Sequence, residues 1–213
     1  MRNSKTGRVE IMRPVFAQQP ALAAVLAVSL LLWRVMEGAV DFRSFRRLRA
    51  GARRQDRGSQ AVLIFTITLG TFLGVVAAYK VPAATITTSA IARDILFWLG
   101  IVLIYAGIAF RLYAIHTLGA YFTTAVAISP QQTVVDSGPY RLIRHPSYTG
   151  ILIIFCGFAL TCVNWLSLLL ILAGALMGLG YRIRIEERIL QEQLGAPYQE
   201  YMRRTKRLIP YVL

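Results

Sequence analysis

The chain has 213 residues, of which 56% are hydrophobic, with a mean hydropathy of +0.53 and a formal net charge of +14. A soluble domain must cover its core with polar side chains, so this apolar composition excludes that class and indicates an integral membrane protein. The basic residues flank apolar segments and do not interleave with exposed aromatics. We therefore expect them to anchor helices at the membrane surface, and we expect no nucleic-acid partner.

Five apolar segments follow one another along the chain, and each is predicted to be a membrane-spanning helix. Residues 1–117 are assigned to an N-terminal tail and three spans, and residues 118–213 to a second region that holds two more. The predicted spans are 15–40, 60–79, 94–117, 148–163 and 166–181. The predicted fold class is therefore an all-α, multi-pass membrane protein with about five transmembrane helices.

A strongly basic segment, 41–59, separates the first two spans and contains seven arginines against two aspartates. We predict a surface loop or interfacial segment there, which binds anionic lipid headgroups. With five spans, this segment lies on the same side as 118–147 and 182–213. These three hold most of the Lys and Arg, so their side is predicted to be cytoplasmic. The N-terminal tail, itself basic, would then lie outside, against the same rule.

Small and sulfur-containing residues inside the spans bear on packing and chemistry. Gly70 and Gly74 form a GxxxG pattern, a spacing that allows two helices to approach closely. Cys156 and Cys162 lie in an apolar segment without CxxC spacing. They are predicted to be buried thiols, so we expect neither a disulfide nor a metal site.

Polar residues concentrate at the cytoplasmic ends of the last two predicted spans. The short turn predicted at 163–165 makes these spans an antiparallel hairpin, which brings "RHPSY" (144–148) next to "RIRIEE" (182–187). Pro146 fits the first turn of a helix, where free backbone N–H groups bind a carboxylate.

Three other polar side chains complete this predicted pocket. His145 and Tyr148 would add hydrogen-bond donors beside the helix start, and Glu186 would bind an ammonium group. Together these groups suit a zwitterion such as an amino acid. They do not by themselves predict a reaction.

Simpler interpretations of the same residues stay open at this point. Arg182 and Glu186, at i and i+4, can form an ordinary solvated helix salt bridge. Residues Arg141, Arg144 and His145 can contact lipid headgroups. The tyrosines of this region can be interfacial aromatics; they are Tyr140, Tyr148, Tyr198 and Tyr201.

Two motifs nevertheless resemble one known family. "RHPSYTG" (144–150), an apolar stretch and then "EERILQEQLGAPYQEYMRRTKRLIP" (186–210) are similar to the signature of the isoprenylcysteine carboxyl methyltransferase family. The resemblance covers roughly residues 119–210, and Thr205 departs from it where the family usually has valine. It implies an integral membrane methyltransferase that uses S-adenosylmethionine. The cofactor pocket would face the cytoplasm under a C-terminal helical segment, and a prenylated acceptor would enter from the bilayer.

The resemblance also implies roles for individual residues. Arg182 would be the catalytic residue that binds the acceptor carboxylate, and no metal is implied. The amino-acid end of the cofactor would be held by His145, Pro146, Ser147 and Tyr148, with Tyr140 nearby and Glu186 also in contact. The preceding strand-like stretch would line the cofactor with Gln132, Thr133, Val134 and Val135.

Other functions remain as alternatives. The acceptor can instead be a phospholipid amine or a small thiol, for which a carboxylate-binding arginine is unnecessary. A membrane reductase that uses NADPH resembles this hairpin loosely. A non-catalytic membrane partner would bind lipid through the basic segment and would bind no S-adenosylmethionine.

Overall fold

The computed structural model describes residues 13–49, 53–54, 58–125, 127–128 and 133–210, which are almost entirely helical. The helices are α1 (Val15–Gln18), α2 (Pro20–Arg49), α3 (Ser59–Lys80), α4 (Ala90–Leu118), α5 (Pro146–Thr161), α6 (Trp165–Leu194) and α7 (Ala196–Arg204). Two short strands, β1 (Arg53–Arg54) and β2 (Ala127–Ile128), pair antiparallel. Three 3₁₀ turns occupy connections: Pro82–Ala84, Gly119–Tyr121 and Gly138–Arg141.

Four of these helices, α2, α3, α4 and α6, are long and apolar enough to cross a membrane. Helix α5 is apolar but has only 16 residues. The predicted all-α membrane fold is therefore confirmed, with helices at all five predicted positions. Helix α6 continues past the apolar part predicted as a span and ends where Gly195 adopts a φ of 61°.

The prediction of a loop at 41–59 is wrong over its first part, because α2 continues to Arg49. Residues 41–49 contain neither glycine nor proline, and a helix satisfies its own backbone hydrogen bonds as it leaves a bilayer. One side chain of this extension, Ser44, is buried and accepts a hydrogen bond from the backbone N–H of Thr124 at 2.8 Å. Headgroup binding by this segment stays a prediction.

Two closely packed helix pairs, α3 with α6 and α4 with α5, form the core. In the first, a Cβ added at Gly70 would lie 2.7 Å from the carbonyl oxygen of Leu170, which confirms the close approach predicted from the GxxxG pattern. In the second, Gly100 and Gly157 face each other so closely that a Cβ on either would lie 2.5 Å from the other's carbonyl oxygen.

A tight turn joins the two pairs and confirms the predicted hairpin of α5 and α6. Asn164 caps α6 by accepting a hydrogen bond from the Ser167 N–H at 3.0 Å. Its amide also donates to the Val81 carbonyl at 3.1 Å and so ties the turn to the end of α3. The motif at the start of α5 is thereby held beside the C-terminal half of α6.

Helix α2 packs along α4 but not closely against α3. Polar contacts fix it to α4, including a hydrogen bond from the Ser29 hydroxyl to the Tyr105 hydroxyl at 3.2 Å and an ion pair between Glu37 and Arg111. The gap between α2 and α3 leaves a cleft, which we call the lateral groove.

The chain beyond α7 returns to the start of α5. Residue Lys206 pairs with Ile143 in a parallel bridge, and the N–H groups of Arg144 and His145 donate to the carbonyls of Lys206 and Arg207 at 2.7 and 3.0 Å. These bonds hold residues 205–208 as a strap along the "RHP" motif. Helix α7 ends at Arg204, where Thr205 takes an extended conformation.

Candidate functional site

A pocket of about 810 Å³, which we call the polar pocket, lies where the start of α5, the C-terminal half of α6 and α7 meet. Its walls are formed by Leu118, Tyr121, Phe122, Thr123, Ala125, Thr133, Val134, Val135, Tyr140, Arg144, His145, Ser147, Tyr148, Glu186, Leu190, Leu194, Tyr198 and Tyr201.

Three side chains form a hydrogen-bonded chain along one wall. The Tyr148 hydroxyl donates to Glu186 Oε2 at 2.5 Å and accepts from Arg182 Nε at 2.7 Å. Arg182 is only 2% exposed and also donates to the Thr124 carbonyl and, at 3.4 Å, to the Ser59 hydroxyl. The solvated Arg182–Glu186 salt bridge is therefore wrong, since the guanidinium is buried and tyrosine bridges the two groups.

Glu186 and Glu187 have different surroundings, which the sequence could not separate. Glu187 is buried and accepts from Arg144 Nε at 2.8 Å and Arg207 Nε at 3.0 Å. It fastens α6 to the "RHP" motif and the C-terminal strap. Glu186 instead lines the polar pocket with a side chain that is 26% exposed. Glu186 thus faces the polar pocket, while Glu187 holds the structure around it.

His145 is buried against both glutamates. Its ring stacks on that of Tyr148, with centroids 5.4 Å apart, and its Nε2 lies 3.4 Å from Glu187 Oε1. Nε2 is buried yet makes no hydrogen bond within the described part of the chain. Together with the burial of Arg144, this contradicts headgroup binding by these two residues; Arg141 is exposed.

Buried tyrosines close the far side of the polar pocket. Tyr140, Tyr198 and Tyr201 are 6%, 4% and 3% exposed, so they are not interfacial aromatics. Burial raises the pKa of all three phenols. They therefore stay neutral, and Tyr201 donates its hydroxyl proton to the Tyr140 carbonyl at 2.8 Å.

The structure brings most of the predicted binding residues to one place. Arg182 contacts the pocket wall through Tyr148. Pro146 is fully buried at the first position of α5, behind the lining, and Gln132 lies outside the described residues. The predicted residues that do line the polar pocket are Thr133, Val134, Val135, Tyr140, His145, Ser147, Tyr148 and Glu186. Their roles stay predictions.

Sequence reasoning gave no ligand role to several other lining residues. Leu190 and Leu194 follow Glu186 at i+4 and i+8 on α6, so helical spacing alone placed them on the same face. The segment 118–125 carried no such signal because its path is irregular. The remaining lining residues without a predicted role are Leu118, Tyr121, Phe122, Thr123, Ala125, Arg144, Tyr198 and Tyr201.

The lateral groove, with a volume of about 1490 Å³, lies on the other side of this wall. Phe122, Thr123 and Tyr148 line both cavities, so they form the partition between them. Apolar side chains of α3 and α5 alternate in the groove with charged groups, and Arg182 is among its lining residues. The charged groups that line it are Arg34, Glu37, Asp41, Arg111 and Arg182.

Comparison with known proteins gives a consistent picture. Residues 98–192 match the model of the isoprenylcysteine carboxyl methyltransferase (ICMT) family. A probable protein-S-isoprenylcysteine O-methyltransferase of Oryza sativa subsp. indica is 31% identical over 117 residues, which are 54% of this chain and 61% of that protein. The protein-S-isoprenylcysteine O-methyltransferase of Saccharomyces cerevisiae is 31% identical over 139 residues, 64% of this chain and 58% of that one. The chain thus spans less than two thirds of these relatives.

The fold is also similar to a solved structure, that of the eukaryotic intramembrane Ras methyltransferase ICMT. The TM-score is 0.55 at 25% sequence identity, and the match covers 71% of this chain and 52% of that chain. The matched share exceeds the region covered by the family model. The membrane helices outside that region therefore also contribute to the likeness.

Proposed function

Residues 98–192 match the model of the isoprenylcysteine carboxyl methyltransferase family, and on this premise we propose that the chain methylates the carboxylate of an isoprenylcysteine with S-adenosylmethionine. One observation carries the proposal: the buried Arg182 lies at the partition between the polar pocket and the lateral groove, joined by Tyr148 to Glu186. A donor site and an acceptor site meet there.

The residues of the polar pocket fit the cofactor. Glu186 offers a carboxylate for its ammonium group, and the unsatisfied Nε2 of His145 offers a buried polar contact. Val134, Val135 and the buried tyrosines suit its less polar parts. When bound, S-adenosylmethionine supplies a methyl group that its sulfonium already activates.

The lateral groove fits an acceptor with a lipid chain. Its apolar residues come from α3 and α5, and its opening lies between two membrane helices, so a prenyl chain would enter from the bilayer. The charged end of the acceptor would lie at the partition. Arg182 would bind the carboxylate there with a charge that persists at any working pH.

Arg182 and Tyr148 would carry the reaction by positioning and electrostatics. An acceptor carboxylate is ionised at neutral pH, so no side chain has to remove a proton. Tyr148 holds Arg182 Nε and so fixes the plane of the guanidinium. A buried cation held in this way orients the attacking oxygen and excludes water from it.

The decisive experiment offers three acceptors to the purified chain in lipid nanodiscs with methyl-labelled S-adenosylmethionine. A prenylcysteine should gain a base-labile methyl ester, while a phospholipid amine and a small thiol should gain no label. Arg182→Ala should lower the rate at least about 100-fold, since it removes a group aimed at the reacting centre. Arg184→Ala, an exposed neighbour on the same helix, is the matched control. Transfer to the amine or thiol alone would overturn the proposal.

We propose further that the polar pocket faces the cytoplasm and that the basic residues 41–59 contact anionic lipid. The C-terminal ends of α2 and α6 lie at the same end of the molecule as the pocket, and most of the positive charge is at this end. A cysteine at the exposed Arg203 should react with a membrane-impermeant reagent only from the cytoplasmic side. A cysteine at the exposed Thr88, before α4, should react only from the other side.

A further inference from the structure

A third cavity, which we call the interfacial cavity, lies between α2 and α4 at the end of the molecule that holds the polar pocket. It is lined by Val40, Arg43, Leu112, Ile115, His116, Gly119 and Phe122. Arg43 comes from α2, and His116 comes from the last turn of α4. No carboxylate side chain is among the described residues that line this cavity, so its polar lining is basic.

The two basic side chains of the interfacial cavity suit a phosphate group. Arg43 brings a permanent charge and a planar fork of N–H donors that matches phosphate oxygens. His116 adds a ring N–H in either protonation state. Both side chains are exposed, and neither makes a hydrogen bond or an ion pair within the described part of the chain. They are therefore available to a ligand.

The surroundings of the cavity favour a lipid over a water-soluble anion. Val40, Leu112 and Ile115 give it an apolar wall. Leu112 remains 41% exposed, and Phe42, beside Arg43 on α2, is 62% exposed. Both helices are long and apolar enough to cross a membrane, so acyl chains would cover these exposed apolar side chains. A phosphate that carries acyl chains would satisfy the basic and the apolar parts together.

The interfacial cavity adjoins the partition. Phe122 lines this cavity as well as the polar pocket and the lateral groove. Next to Arg43 on α2, the Ser44 hydroxyl accepts a hydrogen bond from the Thr124 N–H at 2.8 Å, and the Thr124 carbonyl accepts one from Arg182. A ligand between α2 and α4 would hold the segment that follows α4 against α2. It would thereby act on the partition.

We propose that the interfacial cavity binds the phosphate of an anionic phospholipid through Arg43 and His116, and that this lipid orders residues 119–124 at the partition. A zwitterionic lipid would bring its own cation close to Arg43, so an anionic headgroup is favoured. Binding and ordering do not depend on the function proposed above. Only the effect of the lipid on methylation rests on that function.

The binding test measures which lipids the chain retains. The protein is released from nanodiscs of mixed phosphatidylglycerol and phosphatidylcholine into detergent, and native mass spectrometry counts the bound lipids. The wild type should retain phosphatidylglycerol in preference to phosphatidylcholine. The double variant Arg43→Gln/His116→Gln should lower this preference at least about fivefold, because it removes the phosphate ligands. Excess glycerol phosphate should not displace the lipid, since it lacks acyl chains.

The matched control for binding is Arg46→Gln. This exposed arginine lies on the same helix but is absent from the linings of the three cavities described above. Its replacement removes the same charge and should change the preference by less than about twofold, because only diffuse attraction to the membrane is lost.

The ordering test is hydrogen exchange of residues 119–124 in nanodiscs with and without phosphatidylglycerol. The anionic lipid should slow exchange of these backbone amides at least about threefold in the wild type, because local opening becomes less favourable when the lipid is bound. The double variant should show no such response. Arg46→Gln should respond like the wild type.

The outcomes separate this proposal from the proposed function. Equal retention of the two lipids, displacement by glycerol phosphate or an equal loss in Arg46→Gln would overturn the site, and unchanged exchange would overturn its action on the partition. If the wild type methylates a prenylcysteine, the rate should rise to a plateau with phosphatidylglycerol content, and a rate that ignores this lipid would also contradict that action. If no acceptor is methylated, the proposed function fails, and retention and exchange still decide the lipid site.

Discussion

At the scale of single residues, the hydroxyl of Tyr148 joins Glu186 of the polar pocket to Arg182 of the lateral groove. It donates to Glu186 and accepts from Arg182, and both neighbours would lose a partner without it. An unsatisfied buried polar group costs about 1–3 kcal/mol, so the loss is large for a single oxygen atom. The side chain also stacks on His145, which would stay possible for phenylalanine.

Tyr148→Phe should therefore lower kcat/KM for the prenylated acceptor by about 10- to 100-fold, because Arg182 loses its fixed orientation. The free energy of unfolding should fall by about 1–3 kcal/mol, because the hydrogen bonds to Glu186 and Arg182 are lost while ring packing is retained. Initial rates in nanodiscs measure the effect, and Tyr181→Phe, on the exposed side of α6, is the control. An unchanged rate would show that Arg182 is oriented by its other contacts.

The two adjacent glutamates should give opposite phenotypes. Glu187→Gln leaves Arg144 and Arg207 without a carboxylate and should destabilise the protein by about 3 kcal/mol, since it breaks a buried ion pair. Glu186→Gln should leave stability nearly unchanged and weaken S-adenosylmethionine binding. Thermal unfolding and calorimetric titration of both variants test this, and the reverse pattern would contradict the assignment.

At the scale of helices, glycine contacts set the distance between neighbours. In α4 and α5, Gly100 and Gly157 let the backbones touch, and the contact fixes where the "RHPSY" motif begins. The GxxxG pattern of α3 could be recognised in the sequence because its two glycines are close together in the chain. The residue that each glycine contacts could not be predicted, since it depends on which helices pack together.

Gly157→Ala should destabilise the helix pair by about 1–3 kcal/mol, because the new Cβ would lie 2.5 Å from the Gly100 carbonyl oxygen. The matched change, Gly38→Ala, places a Cβ in open space and should be neutral or slightly stabilising. Unfolding of both variants in the same detergent gives the comparison. Equal stabilities would argue against the close α4–α5 packing.

At the scale of the whole molecule, the C-terminal strap holds the start of α5 by backbone hydrogen bonds to residues 142–145. The Thr149 hydroxyl adds a bond to the Leu208 carbonyl at 2.7 Å. The strap does not line the polar pocket, but it fixes Arg144 and His145, which do.

A chain truncated after Arg204 should insert into membranes but bind S-adenosylmethionine at least about tenfold more weakly, because the lining residues Arg144 and His145 lose the backbone bonds that fix them. Lys206→Ala is the control, since its side chain is exposed and its backbone bonds remain. Equilibrium binding measures the effect. Wild-type affinity in the truncated chain would mean that the strap is not part of the binding site.

Sequence patterns predicted the helices and placed His145, Tyr148 and Glu186 in one pocket, because these rest on local signals: apolar length, a helix-starting proline and spaced motifs. The family resemblance added five more of the eighteen residues that line the polar pocket. Neither predicted the lateral groove. From the sequence alone, Glu37 in an apolar helix is expected to pair with nearby Arg34 or to reach the membrane surface. Its actual partner, Arg111, is 74 residues away and belongs to another helix. Long-range pairing of this kind is decided by packing.

The partition formed by Phe122, Thr123 and Tyr148 bears on the order in which substrates bind and products leave. Because the polar pocket and the lateral groove lie on opposite sides of this partition, a water-soluble donor and a membrane-dissolved acceptor would reach the proposed reaction centre by separate routes. Neither would block the other, and neither product would have to wait for the other to leave. We therefore expect a random-order mechanism, in which cofactor exchange proceeds at the same rate however crowded the membrane is with acceptor.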